Sequence, residues 1–182
     1  MKVVLDACVL FPTVLREVLL GAAARGLFQP VWSARILGEW VRATAKLGPE
    51  AALEAEAQAT LARVNFPAAL WPEQPGLEAR LLLPDANDLH VLAVAIASHA
   101  DAIITFNAKD FPRHILAEEG LARLDPDAFL CQLHASQPAA VAEVVAEVHA
   151  TAERMLGQTI PLKSLLKRAQ LRRLFKLLPT PS

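Results

Sequence analysis

Two short apolar runs, Val3-Val4-Leu5 and Ala102-Ile103-Ile104-Thr105, constrain this chain most, because a polar residue closes or follows each of them. Runs this short and rich in β-branched residues read as buried strands, and burial on both faces marks a parallel sheet. Parallel strands need crossovers long enough to hold a helix, and helix signals fill the chain between these two. Pro12 and Thr13 open a helical stretch, Val14 to Ala24, which Gly26 ends. Pro30-Val31-Trp32 reads as a second short strand. Ser33 is a good N-cap for a helix to about Leu47, stopped by Gly48-Pro49. The Ala- and Glu-rich stretch Glu50 to Val64 predicts another helix.

Pro67 to Pro84 is broken by Pro72, Pro75 and Gly76 and predicts loop with short pieces of structure. From Asp88 the spacing of Leu89, Leu92, Ala93 and Ile96 gives one helix face, with Asp85 or Asn87 as cap. Leu121 to Leu124 is a last candidate strand. Strand and helix alternate, so the body is expected to be an α/β sandwich with a mainly parallel sheet. Pro138 to Leu156 and Pro161 to Leu178 read as helical with no strand between them. The expected division is a body over residues 1–130 and a C-terminal helical extension over residues 131–182.

Composition narrows the class. Apolar residues make up 54% of the 182 residues, which predicts a compact globule and excludes disorder. Asp6 comes too early for a signal peptide, and no apolar run reaches membrane-spanning length without a charge or proline. The two cysteines, Cys8 and Cys131, lack metal-type spacing. A cytoplasmic, reducing setting without membrane contact is the simplest expectation. Ile160 to Ser182 holds six cations (Lys163, Lys167, Arg168, Arg172, Arg173, Lys176) and no acid, so the rest carries −7 of a net −1. A body this acidic repels phosphates and is no general nucleic-acid coat. It can act on nucleic acid where bound cations invert the local charge.

Four acids far apart in sequence are placed to meet in such a fold. In an open parallel sheet, ligands bind beyond the C-terminal strand ends. Asp6 follows the first strand directly; Asn107 and Asp110 follow the strand that ends at Thr105. Asp88 starts a helix, where the dipole favours an anion, and Glu39 comes from within its helix. Each has a plainer reading: Asp88 as a cap, Asp85 as a cap or turn residue, Glu39 as a solvated helix residue, Asp110 as an Asx-turn. Asp6 differs, because a carboxylate beside a buried strand needs a partner. The histidines, among them His90 and His99 on one helix at a spacing that shares no face, suggest no competing site.

Taken together, Leu5-Asp6-Ala7-Cys8-Val9-Leu10, Glu39, Leu83-Pro84-Asp85-Ala86-Asn87-Asp88-Leu89-His90-Val91-Leu92-Ala93 and Ile104-Thr105-Phe106-Asn107-Ala108-Lys109-Asp110-Phe111-Pro112 resemble the PIN domain, the nuclease fold of VapC-type toxins. The resemblance covers about Met1 to Leu124. It implies a PIN-like three-layer sandwich and an endoribonuclease dependent on Mg²⁺ or Mn²⁺, with 5′-phosphate and 3′-hydroxyl products. Asp6, Glu39 and Asp88 match the family's three main acidic positions. Many relatives carry Asp where this chain has Asn107, so Asn107 as a neutral oxygen donor, or Asp110, fills the fourth metal position. Thr105 is a candidate to orient a water or a carboxylate, and Lys109, Arg113 and Arg16 are candidate phosphate contacts. Implied partners are an RNA substrate, an antitoxin protein and a second copy of the chain. The alternative is a catalytically weak or inactive PIN scaffold that binds RNA or a protein. A phosphotransfer protein resembling the haloacid-dehalogenase type ranks lower, because Cys8 stands where that type usually has its second Asp.

The basic C-terminal segment has two readings. Leu162, Leu165 and Leu166 share one helical face, and Leu171, Leu174, Phe175 and Leu178 share another pointing nearly the opposite way. The segment is therefore expected to bend or to pack on two surfaces. Its cations are either solvated or hold RNA or an acidic partner.

Overall fold

The computed structural model describes residues 1–179. Residues 180–182, the end of the expected extension, lie outside the described residues. Contacts divide the chain into two compact units, one of residues 1–11 and 29–124, the other of residues 12–28 with those from 125 onward.

The first unit is built on five strands: β1 (Lys2–Leu5), β2 (Gln29–Ser33), β3 (Leu70–Trp71), β4 (Ala102–Ile104) and β5 (Ala122–Leu124). They form one sheet in the order β3-β2-β1-β4-β5, with every neighbouring pair parallel. Val4 of β1 is in register with Val31 on one side and Ile103 on the other. Val3, Val4, Leu5, Ile103 and Ile104 are fully buried, as strands covered on both faces must be.

The strand order decides where a ligand can enter. The chain steps outward from β1 to β2 to β3, then returns across β1 to β4 and goes on to β5. Right-handed crossovers carry the helices of the outward leg on one face and those of the return leg on the other, which makes three layers. The outward leg holds α3 (Ala34–Ala45) and α4 (Pro49–Asn65). The return leg holds α5 (Pro75–Glu78), α6 (Leu89–Ala97) and α7 (Arg113–Glu118). Reversal between β1 and β4 opens a crevice at their C-terminal ends. A one-turn helix, α1 (Ala7–Leu10), leaves β1 at that edge.

Local chemistry sets these boundaries. Ser33 Oγ accepts from Ile36 N at 3.2 Å and caps α3, as the sequence predicts. Residues 67–84 hold only a 3₁₀ turn, β3 and α5, the expected loop with short structured pieces. Asp85 Oδ1 accepts from Asn87 N at 2.9 Å and caps a 3₁₀ turn, Ala86–Asp88, that leads into α6. Residues 90–95 of α6 are all buried, and α6 packs on β1, β2 and β4.

In the second unit, α2 (Thr13–Ala24) groups with α8 (Pro126–Ser136), α9 (Pro138–Leu156), α10 (Leu162–Arg168) and α11 (Arg172–Leu177). The division expected at 130/131 falls inside α8. Gly21 lets α2 approach α9 closely, since a Cβ there would lie 2.9 Å from Val144 Cγ1. The run expected over residues 161–178 is two helices, broken where Gln170 turns left-handed at φ 61°. That break lets Leu165 and Leu166 on one side, and Leu171 and Leu174 on the other, all be buried.

Asp127 fixes the second of these helices. Its carboxylate is 5% exposed and accepts from Arg173 N at 2.8 Å and Leu174 N at 2.9 Å, two first-turn donors of α11 with no partner in their own helix. Arg173 also pairs with Asp125 and Asp127 through its guanidinium. Asp127→Ala leaves both N–H groups unmet and is expected to destabilise the second unit by about 1–2 kcal/mol. Chemical denaturation reads this, and Asp127→Asn, which keeps an acceptor, is expected to lose less.

Candidate metal centre

Asp6 is the first residue beyond β1, and its N–H donates to Ile104 O at 3.2 Å, extending the β1–β4 pairing by one step. Its side chain is buried. Thr105 Oγ1 donates to Asp6 Oδ2 at 2.6 Å, and Cys8 Sγ donates to the same oxygen at 3.0 Å. Both donors are themselves held. Asn107 N donates to Thr105 Oγ1 at 2.9 Å, and Phe106 N donates to Cys8 Sγ at 3.3 Å. Burial, then the Asp6 charge, pushes the Cys8 thiol up to about 12. Cys8 therefore stays protonated and acts as a hydrogen-bond donor, not a nucleophile.

Asn107 joins the two strand ends to the turn before α6. Its Nδ2 donates to Asp88 Oδ2 at 3.1 Å, and its Oδ1 accepts from Asp110 N at 3.3 Å. Asp85, Asp88 and Asp110 then meet, each offering an oxygen within 4.8 Å of the others. Burial pushes the Asp88 carboxyl up to about 6, and the charges of Asp6, Asp85 and Asp110 push the same way, opposed by His90. The charges of these neighbours act on Asp88 as repulsion, and among the described residues none of the trio makes an ion pair. Hard oxygens crowded in this way suit a divalent cation.

Glu39 meets different neighbours. Its Oε1 lies 3.4 Å from Arg35 Nε, 3.9 Å from Arg42 and 3.0 Å from His90 Nε2. Burial works to raise its carboxyl, but His90 and Arg35 outweigh burial and hold it below the usual carboxylate range. His90 is 1% exposed. Although its Nε2 is close to Glu39, the angle is outside hydrogen-bonding geometry, and neither ring nitrogen makes an aligned hydrogen bond.

The structure thus brings Asp6, Thr105, Asn107, Asp88 and Asp110 into one connected group. Glu39 reaches it through His90, two residues after Asp88, and not through a direct carboxylate contact in the close acidic trio. Lys109 and Arg113 are exposed. Arg16 is buried, pairs with Glu17 at 3.3 Å and belongs to the second unit. Asp85 is the residue that sequence reasoning under-read. It does cap its turn, and it also stands within the acidic trio. The signal was its spacing, since residues three apart stack on a 3₁₀ turn. Cys8 was likewise passed over as a donor to Asp6.

A family model described as PIN domain matches residues 2–109, a span that includes Asp6, Glu39, Asp85, Asp88 and Asn107 and stops one residue short of Asp110. No curated protein and no solved structure matches the chain. The match covers more than half of the sequence and falls on the parallel sheet that carries the acidic crevice, so the chain belongs to the PIN domain family.

Proposed function

We propose that the chain is an endoribonuclease dependent on Mg²⁺ or Mn²⁺, working at the crevice between β1 and β4. Membership of the PIN domain family gives it a nuclease-type function. The observation that carries the finer reading is the crowding of Asp85, Asp88 and Asp110, with Asp6 near enough to raise the Asp88 carboxyl together with them. Asp6, Asp88 and Asp110 are the proposed metal ligands, with Asp85 as a further carboxylate. Glu39 is assigned to the same site. When bound, the cation supplies charge neutralisation and a more acidic water for in-line hydrolysis of the phosphodiester.

The chain's own residues do the positioning. Thr105 and Cys8 occupy Asp6 Oδ2, which directs the other oxygen of Asp6 to a ligand. Asn107 holds Asp88 and the Asp110 backbone at a fixed spacing. Arg35 bonds to Glu39 and to Asn87 O and so ties α3 to the turn that carries Asp88. Lys109 and Arg113, both exposed, are the proposed phosphate contacts. The toxin role, an antitoxin partner, a homodimer and a cytoplasmic setting belong to the same proposal. No helix among the described residues is long and apolar enough to cross a membrane. A PIN scaffold that binds without cleaving is the second reading. It draws on Asn107 Nδ2, which supplies Asp88 with a donor where a carboxylate would add charge.

Cleavage of a single-stranded RNA with Mn²⁺, with and without chelator, separates the two readings. Asp88→Asn and Asp6→Asn are each expected to lower cleavage at least a hundredfold while the fold persists. Full activity in either variant overturns the assignment.

Asp88 also sets a pH dependence. Its folded carboxyl, at about 6, lies above its ordinary value of 3.8. The stability linked to this proton is complete below the ordinary value and is lost as pH rises through about 6. The melting temperature of the metal-free protein is therefore expected to fall between about pH 4 and 6 and to level off above that, and Asp88→Asn to flatten that fall. Mn²⁺ affinity, measured by titration calorimetry, is expected to weaken as pH drops through about 6, because protons compete for the ligand.

The fourth position is tested by two further variants. Asn107→Asp adds charge beside Asp88 and is expected to tighten Mn²⁺ binding while lowering metal-free stability. Asp110→Ala is expected to weaken binding, and normal binding in that variant reduces Asp110 to a turn residue.

A further inference from the structure

We propose that the concavity formed by α10 and α11 is a binding site for the phosphate backbone of single-stranded RNA. It measures about 360 Å³ and is lined by Ser164, Lys167, Arg168 and Arg172. The left-handed Gln170 separates α10 from α11, and Arg172 at the start of α11 lines the same concavity as Lys167 and Arg168 at the end of α10.

Two observations single out these cations. No Asp or Glu side chain lies between Ile160 and Ser182. Nor do the side chains of Lys167, Arg168 or Arg172 join any described residue by hydrogen bond or ion pair, whereas the Arg173 side chain beside them is held by Asp125 and Asp127. All three are exposed, so an anion entering the concavity meets cations that no described carboxylate already holds. Two guanidiniums offer planar forks that suit phosphate oxygens, and the Ser164 hydroxyl adds a neutral donor.

The lining favours phosphate over an acidic protein. Four exposed polar side chains, two of them guanidinium forks, match the repeated phosphates of a nucleic-acid backbone. A nucleic-acid backbone needs only cations and small donors. The choice of RNA as the phosphodiester rests on the ribonuclease reading; the anion site does not.

The test is fluorescence anisotropy with a labelled single-stranded RNA oligonucleotide, using the full chain in chelator so that binding is read without cleavage. The combined reversal Lys167→Glu, Arg168→Glu and Arg172→Glu is expected to weaken binding at least tenfold at low salt. The slope of log affinity against log salt should become shallower by about 2, from three phosphate contacts at about 0.7 each. The control reverses three exposed cations of the first unit, Lys46→Glu, Arg63→Glu and Arg80→Glu, for the same change in net charge, and is expected to alter affinity less than threefold. If the reversed triad fails to fold by circular dichroism, the triple Gln variant replaces it, with the same slope change expected.

Equal weakening by triad and control overturns the site in favour of net charge. Tighter binding of a polyglutamate peptide than of RNA overturns it in favour of an acidic partner. Triad-dependent RNA binding without any Mn²⁺-dependent cleavage supports the anion site while rejecting the nuclease reading.

Discussion

The pairing of β1 with β4 is the constraint on which the first unit depends. β1 is the central strand, and on its β4 side the chain reverses its direction across the sheet. Val4 is locked to Val31 and Ile103 at once, and a slip of one residue would turn its side chains to the opposite face. The register delivers Asp6 to the end of β4, where Thr105 and Cys8 can donate to it. Without those donors a buried carboxylate at this place would be costly. The same register sets Asn107 one step beyond, from which it reaches Asp88 and the backbone of Asp110. Sheet pairing and site geometry are thus a single network.

Within that network the acids are treated in two ways. Glu39 is compensated: Arg35, Arg42 and His90 lie around it, and His90 and Arg35 hold its proton affinity down. Asp88 is crowded: burial and three neighbouring carboxylates raise its proton affinity, and His90 offsets only part of this. A cation arriving at the crevice gains most from the crowded group, because it replaces repulsion with attraction. His90 lies between the two groups, close to one and electrostatically coupled to the other, with both ring nitrogens buried and unaligned. Buried polar atoms in that state are costly. The two ring nitrogens stand beside the acids, and Trp32 Nε1 on β2 is in the same state within the sheet core.

The second unit uses a carboxylate differently. Asp127 is as buried as Asp6, but its donors are the free N–H groups at the start of α11 and the Arg173 guanidinium. Its charge is spent on anchoring a short helix that could not persist alone. That anchor also divides the basic segment. Arg173 is drawn onto acids, while Lys167, Arg168 and Arg172 are left facing a shared concavity.

Much of this was written locally in the sequence. β-branched runs named β1 and β4, Ser33 and Gly48 bounded α3, and the opposed leucine faces announced a break in the C-terminal helix. Strand ends place Asp6, Thr105 and Asn107 at one edge through chain geometry alone, so that part of the site was legible too. The grouping of α2 with the C-terminal helices was not, because a glycine-permitted contact between Gly21 and Val144 joins residues distant in sequence. Nor could the sequence tell that Asp85 would join Asp88 and Asp110, that Glu39 would be neutralised by Arg35, Arg42 and His90, or that Arg173 would be held apart from its neighbouring cations. Backbone preference and hydrophobic period act over a few residues and fix the elements. The charge state of an acid and the partner of a cation depend on which groups lie within a few ångströms, and only the packed structure decides that.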